Sequence, residues 1–168
     1  MIHVCSLAAL HPTVAATEAS HVLSVMANVR QVQRPATVRE ANHLRIEMDD
    51  ITEAMDGFNA PNLQHISQVL DFVRSWDRAA PLVVHCYAGI SRSTASAFAA
   101  ACALNPHRDE VTIARQIRRA SPCASPNRLI VALADRALGR QGRMLRALDV
   151  IGPGDLSIEG VPFRVDLE

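Results

Sequence analysis

The stretch Pro81-Leu82-Val83-Val84, running directly into HCYAGISRS and then into the small-residue segment Arg92–Leu104, constrains the fold of this chain more than any other. Proline bars a helical start at this point. Three apolar residues in a row, two of them β-branched, read as a strand with no solvated face. Such a strand belongs in the middle of a parallel sheet, and parallel neighbours need crossover connections, usually helices. The polar segment after it then stands at the carboxyl end of a central strand, where open α/β sheets bind their ligands.

The rest of the chain supplies the partners. Met1–Leu7 and His21–Met26 read as strands, separated by a helical stretch around Thr13–Ala19. Asn28–Glu40 is polar, contains Pro35 and reads as a loop. His43–Met48 alternates apolar and polar residues, as a strand with one covered face does, and ends in Asp49-Asp50. A loop marked by Gly57 and Asn59 leads to Pro61, which suits a helix's first turn. Leu63, Ile66, Val69, Leu70, Val73 and Trp76 then recur at spacings of three and four, the signature of an amphipathic helix. Two more helical patterns come after the central loop, Asp109–Ala120 and Pro126–Leu148, the end of the second blurred by Gly139 and Gly142. Beyond Gly152 the chain is irregular, with Val161–Val165 the candidate for an edge strand. The alternation predicts an α/β three-layer sandwich with a mostly parallel sheet of four to five strands flanked by helices. It is read as one domain over residues 1–168, with a core of about 1–150 and a C-terminal tail, 151–168.

Composition removes several classes of function. Seventeen basic residues balance seventeen acidic ones, so no uncompensated cationic field would gather nucleic acid. Every basic residue is arginine, which excludes lysine Schiff bases and a Walker-type phosphate lysine. No apolar run approaches the ~20 residues of a membrane span, so no membrane partner is expected. The opening MIHVCSLAALHP lacks a basic n-region, so no secretory signal is read and a cytoplasmic location is expected. Cys5, Cys86, Cys102 and Cys123 form no CxxC pair and have no histidine at zinc-like spacing, so neither metal nor cofactor is expected. Cys5 and Cys102 read as small buried hydrophobes.

Cys86 stands apart because of its neighbours on the C-terminal side. Five residues separate it from Arg92, enough for a loop that curls round one tetrahedral anion. The N–H groups of Tyr87, Ala88, Gly89, Ile90, Ser91 and Arg92 would line that loop as a nest of donors. Gly89 permits a positive φ in a tight curl. The helix that begins near Arg92 adds the positive end of its dipole, and the Arg92 guanidinium offers a planar fork for two phosphoryl oxygens. The same field favours a thiolate at Cys86, able to attack phosphorus in line and form a cysteinyl-phosphate. Ser93 is placed to donate a hydrogen bond to that sulfur as it leaves in the second step. His85 is expected to orient loop backbone rather than touch substrate. A carboxylic acid must protonate the leaving oxygen. Asp50, at the end of the strand His43–Met48 and 36 positions before Cys86, is the first candidate, with Asp49 and Asp56 as alternatives.

The pattern HC-x5-R-S resembles the signature of the cysteine-dependent protein tyrosine phosphatases. The whole chain, including its opening MIHVCSLAAL, is similar to small bacterial members of the dual-specificity type. In dual-specificity phosphatases a strand-ending aspartate a little over 30 residues upstream of the cysteine is the acid, which the resemblance carries to Asp50. Ser125-Pro126-Asn127 looks like the Pro-Asn that opens their last core helix, implying a packing and capping role for Asn127 near the phosphate loop. Met48 stands where the classical tyrosine-specific enzymes carry tryptophan, and aromatic residues are only 4% of the chain, which implies a shallow cleft. The uncharged Tyr87, Ala88, Ile90 and Ser91 do not suit a polyphosphorylated lipid head group. The substrate implied is a phosphorylated protein or a small phosphomonoester. A phosphate-binding module without turnover and a rhodanese-like sulfurtransferase are the competing readings. Arg118, Arg119 and Arg128 are read as solvated helix arginines, with a basic rim as the alternative. Cys123 is read as a plain loop residue, with a redox partnership to Cys86 as the alternative.

Overall fold

Strand β4 (Leu82–His85) is the middle of a five-stranded sheet. β1 (Ile2–Cys5) and β2 (His21–Val25) flank it in parallel, β3 (His43–Ile46) lies outside β2, and β5 (Phe163–Val165) lies outside β1, giving the order β3-β2-β4-β1-β5. Only β5 is antiparallel, paired with β1 from Ile2↔Val165 to Val4↔Phe163. A computed structural model describes all of residues 1–168.

The register fixes what meets at the carboxyl edge. Cys5 and Ser24 both pair with His85, so β1 and β4 end level, one residue before Cys86, and β2 runs one residue further to Val25. Period-two alternation sends Val4, Leu23 and Val84 to one face and Cys5, Val22 and Val83 to the other. Both faces are covered, as the apolar run in β4 requires. Helix α1 (Leu10–Thr17) covers the smaller core with Leu10 and Val14. On the opposite face lie α2 (Leu63–Ser75), α3 (Arg92–Leu104), α4 (Glu110–Ala120), α5 (Arg128–Ala137) and α6 (Arg143–Ile151). α3 is buried without interruption from Ser93 to Cys102. Its run of alanine and serine lets the sheet, α2, α4 and α5 approach its backbone from all sides.

The sequence-predicted elements shift in instructive ways. Asn62 caps α2 by accepting from His65 N at 3.0 Å, so Pro61 precedes the cap instead of standing in the first turn. The pattern Pro126–Leu148 is two helices. Gly139, Gln141 and Gly142 take positive φ between them, and Asp135 caps the new N-terminus by accepting from Gly142 N at 2.7 Å and Met144 N at 2.9 Å. Arg118 is neither a solvated nor a rim arginine. Its guanidinium donates to the carbonyls of Ala124, Ile151, Gly152 and Pro153 over 2.7–3.0 Å, fastening the chain where it leaves α6. From there residues 152–162 run back to the carboxyl edge of the sheet before β5 begins.

Candidate active site

Six residues, Cys86 to Ser91, join β4 to α3, and four of their carbonyls are held from outside. Tyr87 O accepts from Leu7 N at 3.0 Å, Ala88 O from Gly160 N at 2.8 Å, Ile90 O from Ser125 N at 2.9 Å, and Ser91 O from Asn127 N at 3.2 Å. In a trans peptide the N–H of the next residue points opposite to each carbonyl. Pinning these carbonyls outward therefore turns the N–H groups of Ala88, Gly89, Ser91 and Arg92 toward the inside of the curl, a nest of donors built to receive an anion. Gly89 has φ +74°, and a Cβ there would stand 2.8 Å from the Cys5 carbonyl carbon and Ser6 N, so only glycine fits.

The nucleophile candidate sits at the base of that curl. Cys86 is buried, and its Sγ accepts from Gly89 N at 3.3 Å and lies 3.1 Å from Ser93 Oγ. Ser91 occupies the N-cap position of α3 but caps nothing, because its hydroxyl donates to Asp50 Oδ1 at 2.7 Å. The first-turn amides of α3 are thus left for an anion. Arg92 donates from Nη1 to Met48 O at 2.9 Å, while its Nε is buried without a hydrogen-bond partner. A buried, charged N–H without an acceptor beside a donor-lined loop is what a phosphoryl oxygen would satisfy.

Of the three candidate acids, only Asp50 meets the loop. Its Oδ1 accepts from Ser91 Oγ and, at 2.8 Å, from Asn127 Nδ2, while Oδ2 lies 4.0 Å from Arg92 Nε. Its side chain is 39% exposed, open enough to exchange protons with substrate and solvent. Asp49 closes its own loop: Oδ2 accepts from Asn59 N at 2.6 Å, and Asp49 N donates to Asn59 O at 2.8 Å. Asp56 lies exposed on that loop with no hydrogen bond to the Cys86–Arg92 segment. Asn127 has a double task, since its Oδ1 also accepts from Leu129 N and Ile130 N and so caps α5.

Beneath the loop lies a buried relay that sequence reasoning missed. His85, fully buried, has Nδ1 3.1 Å from Cys86 O and Nε2 2.6 Å from Ser24 Oγ. Ser24 Oγ is also 2.8 Å from His43 Nε2. Burial pushes both histidines down to about 4, so both are neutral near pH 7. One proton arrangement then satisfies the chain: His43 Nε2–H donates to Ser24, Ser24 donates to His85 Nε2, and His85 Nδ1–H donates to the Cys86 carbonyl. The clue in the sequence is Ser24 inside the apolar run VLSVM, and His43 at the head of the alternating strand HLRIEM.

The surroundings are open. A cleft of about 520 Å³ lies beside Tyr87 and Arg92, with His11, Asn28, Gln31 and Gln33 among its lining residues. Tyr87 is 68% exposed and Ile90 partly buried, while Ala88 turns its carbonyl to Gly160. Burial pushes the thiols of Cys5 and Cys102 up to about 12, which keeps both protonated. Cys123 is half-buried, its sulfur 3.6 Å from Ser121 Oγ. Arg128 pairs with Asp149 at 2.9 Å and lines a cleft together with Asp50, Ser91 and Asn127.

Residues 8–105, more than half of the chain and including Asp50 and the whole of Cys86–Arg92, match the family described as "Polymorphic toxin system, DSP-PTPase phosphatase". No curated protein matches the sequence. Among solved structures, DUSP15 superposes with a TM-score of 0.66 at 17% identity, covering 90% of this chain and 92% of its own. The Yvh1 phosphatase domain from Chaetomium thermophilum gives 0.65 at 20% identity, with 85% and 93% covered. Human DUSP28 gives 0.62 at 19%, with 83% and 89% covered. At these identities the likeness speaks to the fold, and it extends over most of the chain.

Proposed function

This chain belongs to the DSP-PTPase phosphatase family of polymorphic toxin systems, and from that premise we propose that it hydrolyses phosphomonoesters through a cysteinyl-phosphate on Cys86. The observation that carries the reading is the curl itself: outward-held carbonyls, an inward Gly89 N–H on Cys86 Sγ, and an unpartnered Arg92 Nε in one place. The loop amides and Arg92 hold the phosphoryl oxygens, most tightly as charge spreads over them in the transition state. Cys86 Sγ attacks phosphorus in line as the bond to the ester oxygen breaks, and the Asp50 carboxyl gives that oxygen its proton. Ser91 and Asn127 hold Asp50 for the transfer. In the second step the Asp50 carboxylate takes a proton from the attacking water, phosphate leaves, and Ser93 donates to the departing sulfur. His85, held by Ser24, stiffens the base of the loop.

The substrate is a phosphorylated protein side chain or a small phosphomonoester, received in an open cleft with exposed Tyr87 at its edge. Residues 1–168 act as one catalytic domain, and a reducing bacterial cytoplasm is its place of action. The four free cysteines support that location, since the nucleophile must stay a thiol.

The test is turnover of a chromogenic aryl phosphate by purified protein. Activity is expected to survive EDTA, to be blocked by vanadate, and to vanish in Cys86→Ser. Turnover persisting in Cys86→Ser overturns the covalent route, and phosphopeptide binding without release of inorganic phosphate overturns the hydrolase.

A further inference from the structure

The C-terminal segment lies outside residues 8–105 and carries no sequence motif, yet it reaches the loop at one point. Gly160 N donates to Ala88 O at 2.8 Å. The other end of the same peptide unit, Gly89 N, donates to Cys86 Sγ at 3.3 Å. We propose that Gly160 is a positioning residue for the nucleophile: by holding the Ala88 carbonyl outward, it fixes the Ala88–Gly89 peptide with its N–H on the Cys86 sulfur.

Gly89 is the reason an external hold is needed. Its φ of +74° lies where glycine alone is at ease, and a glycine peptide is the easiest in the loop to rotate. Rotation would turn the Ala88 carbonyl inward, placing a partial negative charge where the sulfur and the phosphoryl oxygens need a donor. The bond from Gly160 opposes that rotation. It also polarises the peptide, which strengthens the Gly89 N–H as a donor.

Gly160 is also the residue type that the contact demands. A Cβ at this position would stand 2.9 Å from Gly89 O and 3.4 Å from the Gly89 carbonyl carbon. After Gly160 the segment is held by the pairing of β5 with β1, and before it by three hydrogen bonds. Ser6 Oγ donates to the Glu159 carboxylate, Gly154 N donates to Ser125 Oγ at 3.1 Å, and Asp155 N donates to Pro122 O at 3.0 Å. The strap thus rests on two segments, Ser6–Leu7 and Pro122–Ser125, that also hold loop carbonyls.

The inference rests on Cys86 as nucleophile, so its test reads the sulfur directly as well as turnover. Full-length Gly160→Ala, Glu159→Ala and Val161→Ala are compared with the parent by circular dichroism, melting, kcat/KM for an aryl phosphate, and iodoacetamide alkylation of Cys86 at pH 6. Gly160→Ala is expected to stay folded, to lose about tenfold in kcat/KM and to alkylate several-fold more slowly, because one donor to the Cys86 sulfur is misplaced. Glu159→Ala, which loosens the strap by removing its bond to Ser6 and leaves Gly160 itself intact, moves both readings in the same direction by less. Val161→Ala, exposed on the same segment, matches the parent. Parental alkylation and turnover in folded Gly160→Ala overturn the inference, as does an equal loss in Val161→Ala. If Gly160→Ala does not fold, parental values in Glu159→Ala overturn it. Full turnover in Cys86→Ser is a separate result: it defeats the covalent reading without touching the alkylation rates.

Discussion

Asn127 Nδ2 donates to Asp50 Oδ1 at 2.8 Å, while the other end of the same amide accepts from Leu129 N and Ile130 N. One side chain therefore caps α5 and holds the candidate acid against the loop. The two duties separate by mutation. Asn127→Ala removes both and is expected to lower stability by about 1 kcal/mol, the usual worth of a cap, and kcat by about tenfold. Asn127→Asp keeps a capping acceptor but sets a like charge against Asp50. Its kcat should fall at least as far while its Tm falls less. Parental kcat in Asn127→Asp would show that Asp50 needs no such hold.

The three aspartates make a graded set. Asp50→Asn removes the candidate proton donor and is expected to lower kcat on an aryl phosphate by about a hundredfold, with less effect on KM. Asp49→Asn weakens the turn closed on Asn59 and should show chiefly as a lower Tm. Asp56→Asn, on the exposed loop, should match the parent in both. A hundredfold loss in Asp56→Asn with a mild one in Asp50→Asn would move the acid to the other loop.

The buried histidines make stability depend on acid. His85 and His43 are pushed down to about 4 by burial, against an ordinary value of 6.5. A lowered histidine means that the unfolded chain binds the proton more readily between pH 6.5 and 4. Their contribution is thus fully present above pH 6.5 and is lost as pH falls toward 4. For His85 alone the loss is about 3 kcal/mol across that window. Urea midpoints measured from pH 7.5 down to 4.5 should fall steadily. Ser24→Ala, which leaves both imidazoles short of a partner, should lower stability at pH 7.5 by about 1–3 kcal/mol.

Glu110 and Arg140 form an ion pair at 2.7 Å, with side chains 5% and 8% exposed. Arg140 also donates to Cys102 O at 2.7 Å, and Arg143 adds a second contact to Glu110 at 3.1 Å. Burial alone would push the Glu110 carboxyl up, but its own backbone N–H, Arg143 and Arg140 outweigh it, and the group lies below its usual value. Glu110→Ala strands the Arg140 charge in the core and should cost about 3–5 kcal/mol in stability. The pair is remote from Cys86, so kcat per folded molecule should be unchanged. A stability change below about 1 kcal/mol would mean that Arg140 finds solvent on relaxation.

How far the chain could be read from its residues varies with distance along it. The strand β4, the curl and α3 are contiguous, and each rests on local rules: a proline before, apolar β-branched residues, a glycine able to take positive φ, then small helix formers. They were legible for that reason. Pro126–Leu148 was not, because its break depends on Asp135 turning back to cap Gly142 and Met144 once the chain has folded. Arg118 read as a surface residue since nothing near it in sequence announces the carbonyls of residues 151–153 that it binds.

By itself, the sequence of this protein determined the α/β alternation, the loop from Cys86 to Arg92, and the need for an upstream carboxylate. Tertiary structure alone decided which of three aspartates touches Ser91, that Ser24 and His43 stand under His85, and that Gly160 closes on Ala88. The division has a physical cause. Periodicity and allowed φ/ψ are properties of neighbours and can be read in order. The partners of the loop carbonyls lie as far away as Leu7 and Gly160, and such hydrogen bonds exist only after the sheet register and helix packing have brought distant backbones to one edge.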